Sequence, residues 1–128
     1  MSEEFTVEII SPDETILKSD ATEVIIPSYE GEMGILKDHI SLITFLRPGL
    51  IKIKNEKDKV FFVDDGTVEF AQNNLLILTS TARDLSEIDK NQIDSLTEDA
   101  ERKINNTEIT DKEKYLLSYK ISSLKSIS

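Results

Sequence analysis

Apolar residues in the N-terminal part of the chain recur with the period of β-strands. Short runs rich in Val, Ile and Phe alternate with polar residues, and turn-forming residues separate the runs. In the first run Phe5, Val7 and Ile9 share one face, and residues 11–13 then form a turn. The predicted strands cover residues 5–10, 15–17, 23–26, 33–36, 42–46, 50–54, 60–63, 68–70 and 75–79.

This succession of short strands indicates the fold class of the first part. No helical period separates the strands, which favours an antiparallel sandwich or barrel over a parallel α/β sheet. Polar residues 55–58, the pair Asp65-Gly66 and the pair Asn73-Asn74 are each suited to a tight turn. We therefore expect an all-β N-terminal sandwich of about ten antiparallel strands over residues 1–85.

After Leu85 the pattern changes to that of helices. Asp89 with Gln92 and Thr110 with Glu113 have the spacing of capping boxes, which marks two helix starts. Narrow apolar stripes follow each start, at residues 93, 96, 100 and 104 and at residues 117, 121 and 124. A polar link at residues 105–108 predicts an antiparallel α-helical hairpin over residues 86–128, so the chain is α+β overall. Because the stripes are narrow, we expect the hairpin to share little apolar surface with the sandwich and to be a mobile element.

The charge pattern excludes some partners. The net charge of −10 repels phosphate backbones, so we expect no nucleic-acid binding. No stretch approaches the roughly 20 apolar residues that span a bilayer, and we see no signal peptide, so any membrane association is expected to be indirect. From Lys114 onward the chain has Lys114, Lys120 and Lys125 and no acid, which makes its last segment a cationic end on an acidic protein.

Few residues are suited to catalysis or metal binding. His39 is the only histidine and there is no cysteine, so the chain has no pair of histidines that could bind zinc and no thiol nucleophile. The closest carboxylate pairs, Glu30 with Glu32 and Asp64 with Asp65, lie in turn-like sequence without the dense acids of a calcium loop. No glycine spacing matches a phosphate-binding loop. We therefore predict a non-catalytic binding or mechanical protein with no metal site and no cofactor.

One segment carries a specific resemblance. The sequence YEGEMGILKDH at positions 29–39, followed by RPGLIKI at positions 47–53, resembles the signature of the epsilon subunit of F-type ATP synthases. That family has GE-x-GI, a histidine a few residues later and a Pro-Gly pair that leads into a strand. The chain departs from it at Lys37 and Ser41, where prolines are common, and at Asp65, where many members have glycine.

The resemblance implies a non-catalytic part of the central-stalk rotor. In this family the sandwich binds the gamma subunit and the ring of c subunits, which couples proton flow to ATP synthesis. The hairpin lies folded on the sandwich or extends along gamma towards the alpha and beta subunits, where it inhibits ATP hydrolysis. The implied location is the cytoplasmic face of a bacterial inner membrane, as a peripheral protein, with the stromal face of the plastid thylakoid as the alternative.

The resemblance also implies site residues. The c-ring contact loop falls on Tyr29, Glu30, Gly31, Glu32 and His39. Because the extended hairpin approaches acidic segments of the catalytic subunits, the cations of the last segment become candidates for inhibition.

Two further readings concern ligands. Some bacterial members bind ATP at the first helix through I/L-D-x-x-R-A, and here Ile88 and Asp89 match while Gln92 and Ile93 replace the arginine and alanine. Losing the arginine removes a cation suited to phosphate, so we expect at most a weak nucleotide site. The alternative from another class is a free-standing β-sandwich module that binds a ligand under a helical lid. Exposed aromatic residues would mark it, and the chain has only five Phe, three Tyr and no Trp.

Overall fold

The computed structural model describes residues 3–128, which form a ten-stranded sheet followed by two helices. All nine strands expected from the sequence are present, and a short tenth strand follows them. The strands are β1 Phe5–Ile10, β2 Thr15–Ala21, β3 Glu23–Ser28, β4 Gly31–Leu36, β5 Leu42–Leu46, β6 Gly49–Lys54, β7 Lys59–Val63, β8 Gly66–Ala71, β9 Asn74–Leu78 and β10 Ala82–Asp84. The helices are α1 Lys90–Ile104 and α2 Asp111–Ile127.

The ten strands are joined by hydrogen bonds into one sheet that folds back on itself. The order is β10-β7-β6-β3-β5-β8-β9-β1-β2, and β4 pairs with β3. β3 and β5 are joined through a single residue pair, Ser28 with Leu46, so the sheet divides there into two halves. The β6 half consists of β3, β4, β6, β7 and β10, and the β8 half consists of β1, β2, β5, β8 and β9.

The expected sandwich is confirmed, with one departure among the described strands. β1 and β9 pair in parallel, whereas every other pair is antiparallel. Adjacent short strands suggest only hairpins, which are antiparallel, but strands far apart in the chain can pair in either direction. The direction of this pair depends on how the sandwich closes, which the local pattern does not contain.

Side chains from both halves meet in one apolar core. Ile51 and Ile53 of β6 are buried in the same cluster as Val68 and Phe70 of β8. Within β6 and β8 the buried residues alternate with more exposed ones, as expected when one face of a sheet packs on another. The Phe5 and Phe70 rings meet edge to face with their centroids 5.6 Å apart, which closes the core at the start of β1.

The turn between β8 and β9 lies one residue earlier than the sequence suggested. Gln72 and Asn73 adopt φ values of 51° and 60°, and Asn74 already pairs with Ala71 in the ladder. Positive φ at both central residues is the geometry of a type I′ hairpin. The expected turn at Asn73-Asn74 is therefore wrong by one position.

The pair Asp65-Gly66 does not close a hairpin. β7 belongs to the β6 half and β8 to the other, so residues 64–65 connect the two halves. Gly66 has φ +155°, and a Cβ atom there would lie 2.5 Å from the carbonyl oxygen of Leu78. Close packing of the backbone, rather than a tight turn, requires glycine at this position.

Both helices begin at the residues that the capping pattern predicts. Asp89 accepts a hydrogen bond from the backbone of Gln92, and Thr110 does the same for Glu113, with the reciprocal bond present in each case. The connecting link covers residues 105–110. The expected two-helix hairpin is thus confirmed.

The hairpin packs against the outer face of β6 and β7. Phe62 of β7, Ile93 of α1 and Leu124 of α2 are buried together, and Leu50 of β6 joins them at the edge. Residues 61–63 are all buried because this strand is covered on both faces. The hairpin therefore shares more apolar surface with the sandwich than its narrow stripes suggest.

We expect a chain that ends at Ser86 to fold, because the core shared by the two halves contains no helix residue. Its stability should fall by about 2–3 kcal/mol, since the deletion exposes Phe62. Thermal unfolding of the fragment should remain cooperative, at a lower midpoint. The exposed Phe62 ring should also make the fragment less soluble. Phe62→Thr in the same fragment is the matched control and should restore its solubility. A fragment without a cooperative transition would show that the helices complete the core.

Candidate functional site

Residues 29–32 form the connection between β3 and β4 at one end of the sheet. Ser28 pairs with Gly31 across this turn, and the Ser28 hydroxyl donates a 2.7 Å hydrogen bond to the Gly31 carbonyl oxygen. Gly31 has φ +125°, which favours glycine. Tyr29, Glu30 and Glu32 are exposed. Four of the five residues assigned to the c-ring contact loop therefore form one ordered surface turn.

The structure does not bring His39 together with these four residues. It follows the far end of β4, a strand of six residues, so about 20 Å separates it from the turn. Its half-buried ring meets Phe70 edge to face at 6.0 Å, and Nδ1 lies 2.7 Å from the carbonyl oxygen of Ile40. These contacts make His39 an anchor for the loop between β4 and β5.

The three lysines of the last segment have different environments. Lys114 and Lys125 are exposed, and neither forms a salt bridge with another residue in the described range. Lys120 Nζ instead lies 2.8 Å from Asp64 Oδ1, and the two side chains are only 16% and 30% exposed. Asp64 also accepts a 3.2 Å hydrogen bond from the Thr81 hydroxyl. Lys120 thus ties α2 to the sandwich.

Lys120 also influences an acid of α1. A hydrogen bond from Lys103, with Nζ 3.0 Å from Asp99 Oδ2, is the main cause that lowers the pKa of Asp99. The charges of Arg102 and Lys120 lower that pKa further. Lys120 therefore interacts favourably with acids of both the sandwich and the other helix while the hairpin is folded.

Aromatic contacts make a second connection between α2 and the sandwich. The guanidinium carbon of Arg47 lies 3.8 Å from the ring centroid of Tyr119, and the Tyr119 and Tyr115 centroids are 4.9 Å apart. The Tyr115 hydroxyl donates a 3.4 Å hydrogen bond to the carbonyl oxygen of Tyr29. A cation over an aromatic ring is attractive. We call the Lys120–Asp64 and Arg47–Tyr119 contacts together the hairpin latch.

Sequence reasoning missed most of the latch. Asp64 was assigned to a turn, and Arg47 was noted only as part of the family signature. Tyr115 and Tyr119 are four residues apart and therefore share one face of α2, which is a signal that could have been used. The unbroken apolar run at residues 60–63 is another, because it indicates a strand covered on both faces.

The two residues of the expected nucleotide site have structural roles here. Asp89 caps α1, and Gln92 returns its side-chain oxygen to the Asp89 backbone N–H at 2.9 Å. Ile88 packs at the edge of the cluster around Phe62. Gln92, which stands where the family has arginine, therefore takes part in capping α1.

Within residues 3–128, nothing covers the outer face of the β8 half, which carries several exposed apolar side chains. Phe45, Thr67 and Leu78 are opposite one another across β5, β8 and β9, so their side chains lie in one row on the same face. Ile43 lies on this face too, 76% exposed, and Ile40 just before β5 is 80% exposed. We call Ile43, Phe45 and Leu78, together with Ile40 in the loop that precedes β5, the apolar face. Exposed Thr67 lies between Phe45 and Leu78, and exposed Glu69 lies opposite Ile43, so the apolar side chains share this face with polar ones. Exposed apolar side chains that cluster on one face are a feature of interaction sites.

The chain is similar to ATP synthase epsilon chains over its whole length. Residues 4–84 match the model of the ATP synthase delta/epsilon chain β-sandwich domain. The ATP synthase epsilon chain of Pelagibacter ubique is 51% identical, with all of both chains covered. That of Cyanothece sp. is 34% identical over 83% of this chain and 78% of the relative.

Two solved structures have the same fold. A chain of the Euglena gracilis mitochondrial ATP synthase, in a structure of OSCP, F1 and c-ring, aligns with a TM-score of 0.75 at 22% identity and covers 98% of this chain and 79% of its own. A chain of the Tetrahymena thermophila mitochondrial ATP synthase central stalk and c-ring aligns with a TM-score of 0.67 at 18% identity, covering 96% of each. Within residues 3–128, neither helix is long and apolar enough to cross a membrane.

We expect Lys120→Gln to open the hairpin in the isolated protein, because it removes the half-buried ion pair with Asp64. A loss of about 1 kcal/mol would raise the opening equilibrium about fivefold. Amide hydrogen exchange in α2 reports this opening. Lys114→Gln is the matched control and should leave exchange unchanged. Equal exchange in the two variants would mean that the Lys120–Asp64 pair does not help to hold the hairpin.

Proposed function

Because the chain belongs to the ATP synthase epsilon chain family, we propose that it works as a non-catalytic part of the central-stalk rotor, bound to the gamma subunit and the c-ring. The observation that carries this proposal is the match to an ATP synthase epsilon chain at 51% identity over the full length of both chains. The match includes the hairpin as well as the sandwich. It also favours a stalk subunit over a free-standing ligand-binding module with a helical lid.

We propose that the apolar face binds gamma. The hairpin already covers the outer face of the β6 half, whereas the outer face of the β8 half has no cover within the described chain. Isoleucine and phenylalanine side chains that are more than half exposed gain most from burial by a partner. In a rotor the contact has to transmit torque, and a row of side chains on a three-stranded sheet is a stiff surface for that purpose.

We propose that the turn at residues 29–32 contacts the c-ring. Tyr29, Glu30 and Glu32 are exposed at the tip of the β3–β4 hairpin. The turn is held by the Ser28–Gly31 hydrogen bond and by the Tyr29 N–H, which donates to the Phe45 carbonyl oxygen at 3.2 Å. A short, ordered, polar turn is suited to contact with polar loops of the c-ring. His39 is left out of this contact, because it lies at the other end of β4.

We propose that the hairpin inhibits ATP hydrolysis when it extends towards the alpha and beta subunits, and that the folded arrangement seen here is the permissive one. The latch then acts against inhibition, because Lys120 pairs with Asp64 only in the folded arrangement. Lys114 and Lys125 are exposed and available to acidic partners. Since Gln92 caps α1 instead of supplying a cation, we propose that ATP has little influence on this equilibrium.

The proposed location follows from the assembly. As a rotor subunit of F1 the protein would be held at the membrane by its partners, peripherally, on the cytoplasmic face of a bacterial inner membrane. The bacterial epsilon chain at 51% identity over the full length supports a bacterial enzyme over a plastid one.

We expect Ile43→Glu to weaken gamma binding by roughly tenfold or more, because it adds a second carboxylate opposite Glu69 on a surface that the partner must desolvate. Titration calorimetry of the variant with purified gamma measures the loss of affinity. Ile43→Val keeps the surface apolar and should bind like the wild type. Since Ile43 is 76% exposed, both variants should unfold at nearly the wild-type temperature. Wild-type affinity in Ile43→Glu would place gamma on another face.

We expect substitutions of the lysines to change ATP hydrolysis by the reconstituted complex in opposite directions. Lys120→Gln removes the ion pair of the latch, favours extension and should lower hydrolysis. Lys114→Gln with Lys125→Gln removes exposed cations, and should raise hydrolysis by an amount that shrinks at high salt. Gamma binding, measured in parallel, should be unchanged in both. A decrease in both variants, or no change in either, would contradict the division of roles.

A further inference from the structure

The loop between β4 and β5 holds an exposed apolar side chain in a fixed position. Residues 37–41 connect the two strands, and Ile40 within them is 80% exposed. Burial of Ile40 therefore contributes almost nothing to the ordering of this loop. Other contacts have to fix it against the loss of conformational entropy.

Asp38 and Asn73 supply the main polar contacts of the loop. The backbone N–H of Asp38 donates a 2.7 Å hydrogen bond to Asn73 Oδ1, and Asn73 Nδ2 donates a 3.0 Å hydrogen bond to Asp38 Oδ1. Both the oxygen and the nitrogen of the Asn73 side-chain amide therefore form hydrogen bonds with Asp38. Asp38 also adopts φ +66°, a conformation that aspartate tolerates better than most residues.

Asn73 is itself firmly held. It occupies the second central position of the type I′ turn between β8 and β9, with φ +60°. Its carbonyl oxygen accepts a 3.1 Å hydrogen bond from the N–H of Thr6, at the start of β1. Asn73 therefore connects the loop to a part of the β8 half that two strand pairings already fix. On the other side, the loop is anchored by His39 against Phe70.

We propose that the Asp38–Asn73 pair is a positioning device for partner docking, which holds Ile40 beside Ile43 and Phe45 so that they form one binding surface. The inference rests on the proposed binding of gamma to the apolar face. A loop that is ordered before binding loses less entropy on association than a mobile one. The pair acts through the loop, and neither residue needs to touch the partner.

The test uses Asn73→Gly in the full-length chain. Glycine suits a type I′ turn, so the β8–β9 hairpin is retained while both side-chain hydrogen bonds are lost. Amide exchange of residues 38–40 in the isolated protein should accelerate about tenfold, and affinity for gamma should fall about fivefold. Thermal unfolding should change little. Asp38→Asn is the matched control, because it keeps the backbone donor and the side-chain acceptor, and it should behave like the wild type in both measurements.

The outcomes separate this inference from the docking proposal. Unchanged exchange in Asn73→Gly would show that the pair does not hold the loop. Faster exchange with wild-type affinity would show that docking does not depend on the order of the loop. In either case the positioning role is overturned, while Ile43→Glu still tests the face itself. If Ile43→Glu also binds like the wild type, the docking face is wrong and the positioning role fails with it.

Discussion

The outward-facing ring of Phe62 is the constraint on which the arrangement of this protein depends. A strand in a sandwich presents alternate residues to the core and to solvent, and β7 places a phenylalanine on the solvent side. Complete burial of such a ring stabilises a protein by about 2–3 kcal/mol. Ile93 and Leu124 provide that cover, and they lie on different helices. The position of the hairpin is therefore set by one side chain of the sandwich, with the narrow stripes of both helices used to bury it.

The two outer faces of the sandwich differ in whether their apolar side chains are covered. On the β6 half, the chain covers the surface with its own C-terminal helices. On the β8 half, Ile43, Phe45 and Leu78 lie uncovered in the described chain. The cover of the β6 half consists of two helices that follow the last strand, β10, after a short link. Any cover of the β8 half would have to come from outside the described chain.

The latch adds polar contacts at the rim of the Phe62 cluster. Lys120–Asp64 and Arg47–Tyr119 lie where α2 meets the sandwich, and both are partly exposed. Contacts of this kind contribute modestly, about 1 kcal/mol each. A hairpin held by one buried ring and a few such contacts has a closed state that a competing surface can outweigh. Each of these elements by itself contributes too little to fix the hairpin on the sandwich.

The sequence by itself determined the strands, the helix starts, the two-part organisation and the family. These depend on local features: period-two alternation, capping boxes at residues 89 and 110, and the signature between residues 29 and 53. Only the tertiary structure decided that β1 and β9 are parallel, that His39 lies far from Tyr29, and that Lys120 differs from Lys114 and Lys125. Each of those depends on contacts between residues distant in the chain. Asp64 and Lys120 are 56 positions apart, and nothing local to either residue indicates that the folded hairpin places their charges 2.8 Å from each other.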